Sequence, residues 1–352
     1  MHVLHVVKDL GLNGAARVVR TLADAQQTRG IDVAIMATPG ELGNGFSGEV
    51  FDLPPTGRNP LLLVDSVRAL RRVIRDVRPT VVHAHNPGIM AVAGLATARG
   101  RLAPAVVTLH GSAPEQYRLN AQVARLSGLP IIACGPTVAG QMRAAGRPVQ
   151  ATIMNGVKVS VTRSREEVRA ELGVAPDAPF VVQVGRLAPQ KNPVLAVEAF
   201  AAGAPADAVL AFVGDGDLGQ ELREATHRLH VSDRVRVLGG RPDAHDIMNA
   251  ADVVCLASSW EGHPLVLLEA MTLGRAVVAT RAPGSRELVR DGVDGLLAHA
   301  DAAALGAALG RLCSDPELIA RLGGAASERS AEFTQDRMVD AYTQQYEAYR
   351  RA

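Results

Sequence analysis

Short apolar runs alternate with longer amphipathic segments along this chain, and the whole alternation happens twice. Val3–Val7, Val33–Ala37, Val81–Ala84, Ala105–Leu109, Ile131–Ala133 and Thr152–Met154 make a first series; Phe180–Val184, Val209–Val213, Val235–Leu238, Val253–Leu256 and Ala276–Ala279 make a second. Near-continuous Val, Ile and Ala leave no polar face, so each run reads as a strand covered on both sides, as in a parallel sheet. Segments with helical periodicity separate the runs, at 16–29, 64–77, 88–98, 116–126 and 137–145, then at 193–201, 218–229, 243–250 and 264–273. Such alternation is the pattern of a doubly wound α/β fold. A chain of 352 residues also exceeds what one core usually holds. Two domains are therefore expected, 1–158 and 159–332, facing a central cleft, with the break after Asn155-Gly156-Val157. Further helices read at 302–313, 316–322 and 333–351; the terminal segment, 333–352, has no strand of its own and is expected to cross back to the first domain. Residues 40–60 read as irregular.

Bulk chemistry narrows the partners. The net charge is +1, from 37 basic and 36 acidic residues, and aromatics are 3% of the chain. Nucleic-acid binders usually carry a clear basic excess and stacking aromatics, so nucleic acid is not an expected partner. The three cysteines, Cys134, Cys255 and Cys313, are far apart and form no Cys-x-x-Cys, which disfavours a disulfide framework or a zinc ribbon. The first residues, Met1 to Asp9, do not read as a signal peptide, and no run approaches the length of a membrane span. A cytoplasmic location is expected.

In open parallel sheets ligands bind at the C-terminal ends of strands, and the polar residues of interest all fall there. Asp9-Leu10-Gly11-Leu12-Asn13-Gly14 follows the first strand. Gly14 stands just before a helix, where backbone amides favour a phosphate; an ordinary tight turn is the alternative. Asn13, His85 and Asn86 are candidates for the acceptor side of a cleft. His110, ending a strand in Thr108-Leu109-His110-Gly111, points to the same place. His83, His85 and His110 could be imagined around a metal, but no carboxylate with ligand spacing lies nearby, and no metal site is expected.

The second series carries charge. Gly185-Arg186-Leu187 and Lys191-Asn192 follow Phe180–Val184; an Arg fork and a mobile Lys suit a diphosphate. Gly214-Asp215-Gly216-Asp217 follows the next strand, and Asp217 reads as an N-cap of the helix after it. Glu261-Gly262-His263-Pro264-Leu265-Val266 opens a helix whose first amides can face an anion or hydroxyls, and Glu269 lies two turns on. Two carboxylates could also serve a glycoside hydrolase, but a hydrolase does not need phosphate-binding cations. Cations and carboxylates together suit a nucleotide sugar.

With these motifs in order, the chain resembles the family 4 glycosyltransferases of GT-B architecture. The resemblance rests on Gly-Arg-Leu-x-x-x-Lys-Asn at 185–192, Gly-Asp-Gly at 214–216, Glu-x7-Glu at 261–269, the Gly-rich loop at 11–15, Thr-Leu-His-Gly at 108–111 and Asn-Gly-Val at 155–157. One departure is Ala16, where the family often has an acid. The resemblance implies two Rossmann-like domains, the acceptor on the first and the donor on the second. Arg186 and Lys191 would hold the diphosphate, Glu269 the ribose, and backbone near Leu238, Arg241 and Pro242 the base. Glu261 would face the donor hexose and His110 the reacting centre, while Gly14, Gly214, Gly216, Gly262, His263, Pro264, Leu265 and Val266 would line the donor. His110, Glu261, Arg186 and Lys191 are the residues expected to carry catalysis.

The implied reaction moves a hexose or N-acetylhexosamine from a nucleotide diphosphate sugar, a UDP-sugar by family frequency, to a hydroxyl with retention of configuration. No divalent metal is implied if the two cations replace it. A non-catalytic nucleotide-sugar-binding subunit and a nucleotide-sugar epimerase of the same fold are the alternatives. A small molecule or glycan is the expected acceptor. The segment 64–78 is rich in Arg, but a solvated face explains it better than contact with a membrane surface.

Overall fold

A computed structural model describes residues 1–56, 60–99 and 101–351; the stretch 57–59 of the segment expected to be irregular, and residue 352, lie outside the described residues. The chain forms two compact units. Unit 1 comprises Met1–Gly156 with the segment from Thr334 onward, and unit 2 is Val157–Phe333.

Unit 1 is built on seven strands: β1 (His2–Asp9), β2 (Asp32–Thr38), β3 (Glu49–Asp52), β4 (Val81–His85), β5 (Ala105–Leu109), β6 (Ile131–Ala133) and β7 (Ala151–Thr152). They lie in the order 3-2-1-4-5-6-7, and every pairing is parallel. Unit 2 uses six: β8 (Phe180–Val184), β9 (Val209–Val213), β10 (Val235–Val237), β11 (Val253–Leu256), β12 (Ala276–Thr280) and β13 (Leu296–Ala298). Their order, 10-9-8-11-12-13, repeats the first six positions of unit 1, again with parallel pairing. Each sheet therefore has one place where the strand order reverses, between β1 and β4 and between β8 and β11. Ligands bind such sheets at that reversal, because the loops there diverge to opposite faces and leave a crevice.

The apolar runs are strands because their Val, Ile, Leu and Ala side chains are buried on both faces: β4, β5, β8, β9 and β12 contain no exposed residue. Helices on either side cover them, and in unit 2 these form two clusters, one led by Phe180, Ile247 and Met271 and the other by Phe200, Phe212 and Leu309.

Several expectations need correction. The stretch 40–60 is not structureless; it holds a short 3-10 turn, Glu41–Gly43, and β3. β3 escaped notice because it is an edge strand with Glu49, Val50 and Asp52 exposed, so the two-sided apolar signal is absent. β13 was missed as another edge strand of only three residues. The helix read as 316–322 runs on to Ser330. Gly323, inside it, serves packing: a Cβ there would come 2.4 Å from the Gly274 carbonyl oxygen. Asp217 is no N-cap either. That helix starts at Gly219 with Leu218 at the cap position and no side chain bonded to it.

The helix Gln335–Arg351 belongs to unit 1. Its Tyr342 and Tyr346 are fully buried, and Tyr346 Oη lies 2.6 Å from His83 Nδ1 in β4. Arg29, at the end of the helix Gly14–Thr28, forms ion pairs with Asp336 and Asp340.

Candidate active site

At the reversal in unit 2, the segments after β8 and β11 meet through two side chains. Lys191 Nζ lies 2.5 Å from Glu261 Oε1, with the two side chains 17% and 8% exposed. Ser258 donates to the same carboxylate oxygen at 2.6 Å, and Thr280 holds the Ser258 carbonyl at 2.5 Å. The backbone supports the pair: Ser259 N donates to Gln190 O at 2.8 Å and Glu261 N to Pro283 O at 2.8 Å, while Gln190 Nε2 donates to Trp260 O at 3.0 Å. Lys191 is presented by a tight turn, its amide bonded to Ala188 O. Asn192 then caps the helix Pro193–Gly203 from a left-handed conformation, with φ 47°. Arg186 differs. It is exposed, and its guanidinium has no hydrogen bond or ion pair with the described residues, so it is a charge ready for a ligand.

The Gly-Asp-Gly loop fits a structural duty first. Gly214 has φ 140°, and a Cβ there would stand 2.1 Å from Gly185 O; at Gly216, φ 157°, the clash would be with Leu187 O at 2.4 Å. Backbone bonds confirm the close approach, Leu187 N to Asp215 O at 2.9 Å and Gly214 N to Gly239 O at 2.7 Å. Asp215 Oδ2 accepts from Gly240 N at 2.7 Å. These glycines lock the loops after β8, β9 and β10 together, holding Arg186 and the segment from Leu238 to Pro242 in fixed relation. Arg241 is engaged as well: it donates to Asp243 at 2.7 and 2.8 Å and to Glu171 at 3.0 Å. That contact pulls the Asp243 carboxyl down to about 2. Its guanidinium thus anchors the loop, in which Leu238, Gly239 and Arg241 are half-buried and Gly240 is exposed.

Glu261, Gly262, His263 and Pro264 are buried, and the helix Leu265–Thr272 begins without a side-chain cap at Pro264. Val266 lies in its first turn. His263 packs its ring 5.6 Å from that of Phe333; burial, with the nearby Arg329 charge second, lowers its pKa to about 4, so it is neutral at pH 7. Glu269 is 7% exposed and 3.5 Å from His245 Nε2, a separation too long for a strong hydrogen bond.

In unit 1, Gly14 opens the helix Gly14–Thr28 and a Cβ there would meet nothing within 4 Å. No neighbour demands a glycine at this exposed position, which contrasts with Gly214. Asn13 caps the helix that Gly14 opens. Both ends of its amide are occupied, Oδ1 accepting from Ala16 N at 3.0 Å and Nδ2 donating to Asp9 Oδ1 at 2.7 Å. Asn86, half-buried, has φ 75° and ψ 155°, a combination that costs a non-glycine residue about 1–3 kcal/mol. His85 does not line a surface. It has no exposed area, and its ring lies between His5, 3.1 Å away, and His110, 2.9 Å away.

The strand geometry explains the histidine cluster. His5 of β1 pairs with His83 of β4, and His85 is two residues on, so all three side chains leave the sheet on one face. Their nitrogens come within 4.8 Å, close enough to share an ion, yet each has a protein partner: Gln26 and His85 for His5, Tyr346 and Thr108 for His83, His5 and His110 for His85. Desolvation keeps the rings neutral, lowering His5 and His110 to about 4 and His83 and His85 well below their ordinary value.

Residues 164–329 match the family described as glycosyl transferases group 1, and residues 12–161 match glycosyltransferase family 4. The chain belongs to the group 1 glycosyltransferases. It is 34% identical over 178 residues to the lipopolysaccharide core biosynthesis glycosyltransferase LpsE of Rhizobium meliloti (strain 1021), a match covering 50% of this chain and 52% of that protein. The chain thus spans about half the length of that relative. It is 29% identical over 275 residues to the Escherichia coli UDP-Gal:alpha-D-GlcNAc-diphosphoundecaprenol alpha-1,3-galactosyltransferase, covering 71% of each. Among solved structures, Anabaena Alr3699/HepE, crystallised with UDP and glucose, superimposes with a TM-score of 0.86 at 23% identity, over 99% of this chain and 100% of the other. The fold is GT-B.

For a glycosyltransferase of this group, the sequence motifs placed Arg186, Lys191, Glu261 and Glu269 in one unit, and the geometry joins Lys191 to Glu261 directly. What the motifs did not show is Ser258, His5 and Gln26. Ser258 stands three residues before Glu261, and His5 is a lone polar residue in an apolar strand; both were legible as exceptions to burial. Gln26, buried in the helix Gly14–Thr28, carried no signal. Among the described residues no helix is long and apolar enough to cross a membrane.

Proposed function

We propose that this enzyme transfers a hexose or N-acetylhexosamine from a UDP-sugar to a hydroxyl of a glycan or small-molecule acceptor, with retention at the anomeric carbon. The observation that carries the reading is the Lys191–Glu261 pair at the unit 2 sheet reversal, beside the unengaged Arg186. A diphosphate that approaches Lys191 and Arg186 finds two positive groups, and the leaving charge they balance is what limits cleavage of a sugar–phosphate bond. Glu261, held by Lys191 and Ser258, accepts from sugar hydroxyls, and Glu269 accepts from the ribose diol. Within unit 1, His110 is suited to meet a substrate hydroxyl and the helix-start amides at Gly14 a phosphate. The acceptor oxygen bonds to the anomeric carbon on the face the diphosphate leaves. The C–O bond to phosphate breaks, and a phosphate oxygen takes the acceptor proton, giving glycoside and UDP. No step in this scheme requires a metal. The UDP donor is supported by the galactosyltransferase relative and the UDP-bound Anabaena protein, and a saccharide acceptor by the Rhizobium and Escherichia relatives.

The test is a thermal-shift screen of UDP-glucose, UDP-galactose, UDP-N-acetylglucosamine and GDP-mannose. A ligand at a hundred times its Kd should add about 2.7 kcal/mol of stability. UDP-sugars should stabilise the unaltered enzyme, and R186A or K191A should abolish the shift while retaining a cooperative transition. Equal stabilisation of all three proteins would sink the reading. Retention is checked separately, by the anomeric coupling in the product NMR spectrum from an α-linked donor; a β product would exclude same-face attack.

A further inference from the structure

Four polar side chains of unit 1 form a line. Gln26 Oε1 lies 2.8 Å from His5 Nε2, and an amide oxygen only accepts, so His5 carries its proton on Nε2 and offers a lone pair at Nδ1. His85 Nε2, 3.1 Å from that lone pair, must then be the donor. That leaves His85 Nδ1 as an acceptor, and His110 Nε2, 2.9 Å away, donates in its turn. Because burial keeps these imidazoles neutral, each ring has one proton and the assignment passes along the line without branching. It ends at His110 Nδ1, which is buried and has no partner among the described residues. His83 stands outside the line, its two nitrogens taken by Tyr346 and Thr108.

We propose that Gln26, His5 and His85 are positioning residues that hold His110 as its Nε2–H tautomer, so that His110 Nδ1 accepts a hydrogen bond from a substrate hydroxyl and does not serve a phosphate or carbonyl oxygen. The inference rests on the proposed function only in placing His110 against the substrate. The tautomer itself is a property of the unliganded protein. Reversing the Gln26 amide would move every proton in the line to the opposite nitrogen and turn His110 Nδ1 into a donor. The polarity of one glutamine amide therefore decides which kind of atom His110 can bind.

Long-range ¹H–¹⁵N NMR of the full chain, labelled at histidine, reads this directly. In the unaltered protein His110 should show an unprotonated Nδ1 and a protonated Nε2. Q26L should give a mixture of tautomers, and Q26E, which keeps an acceptor oxygen, should restore the original pattern. UDP-glucose turnover, measured in parallel, should fall about tenfold in kcat for Q26L with the donor KM little changed. A protonated Nδ1 in the unaltered protein overturns the proposal whether or not the variants fold. So does a Q26L protein that loses the tautomer yet keeps its kcat. If the tautomer is as assigned but no UDP-sugar is turned over by any variant or by the unaltered chain, the proposed function fails and the relay stands.

Discussion

Lys191 Nζ and Glu261 Oε1, 2.5 Å apart, tie together two segments 70 residues distant in sequence at the point where the unit 2 sheet reverses. The pair is mostly shielded from water, so its members depend on each other: removing one partner strands the other in a poor solvent. In the unliganded enzyme Glu261 shares the Lys191 charge, and the proposed diphosphate would compete for it.

Truncating Lys191 should therefore cost both stability and turnover. K191A is expected to lose about 3 kcal/mol of stability and about a hundredfold or more in kcat. Adding E261A to K191A should cost less than the sum of the single variants, with a coupling of about 1–3 kcal/mol in urea unfolding. Additive losses would show that the contact has no energetic content.

Gly14 and Gly214 should separate function from folding. G214A forces a Cβ to within 2.1 Å of Gly185 O from a backbone with φ 140°, and should lower stability by about 3 kcal/mol. G14A has open space at a helix start and should change stability by less than about 1 kcal/mol, while raising the donor KM. Melting curves with UDP-sugar kinetics on the two variants check the contrast; a G14A enzyme with unchanged kinetics would return the loop to an ordinary turn.

Glu269 is proposed to hold the ribose diol, so E269Q should weaken UDP binding while leaving the chemical step close to intact. A rise in the UDP-sugar KM of about tenfold with kcat within about threefold is expected. The opposite split, with kcat lost and KM unchanged, would place the carboxylate at the reacting centre.

Acid should loosen the enzyme before its carboxylates titrate. His5, His110 and His263 have pKa values of about 4 in the folded chain against 6.5 for a free imidazole. Below pH 6.5 the unfolded chain takes up protons that the folded chain refuses. Stability is therefore complete above that pH and is lost as it falls toward 4. The loss is on the order of 3 kcal/mol per histidine across the window. The urea midpoint at pH 7, 6 and 5 measures it, and a flat profile would mean that the rings are not held neutral.

Much of the fold was legible because its strands contain almost nothing polar: runs such as Phe180–Val184 and Ala105–Leu109 admit no reading but a doubly covered strand. β3 was not legible because its exposed residues remove that signal, and β13 because three apolar residues are too short a run to stand out. Lys191 and Glu261 each stood out by motif, but their pairing depends on β8 lying next to β11, a fact of sheet order that no local pattern encodes. The glycines show the same limit. Gly14 and Gly214 look alike in sequence, and only the distance from a hypothetical Cβ to the next backbone tells one kind from the other. Asn13 and His85 mark a further limit: a polar side chain beside a strand end reads as facing a ligand, and no local pattern shows that each already has protein partners.

The helix Gln335–Arg351 carries one more consequence. Its two tyrosines complete the interior of unit 1, yet the ribosome makes them only after all of Val157–Phe333. At about 5–20 residues per second, the first-born half of this enzyme waits many seconds with its histidine-lined face uncovered. The half that starts first is thus the last to be sealed, and a chaperone that shields a nascent chain has its longest task there.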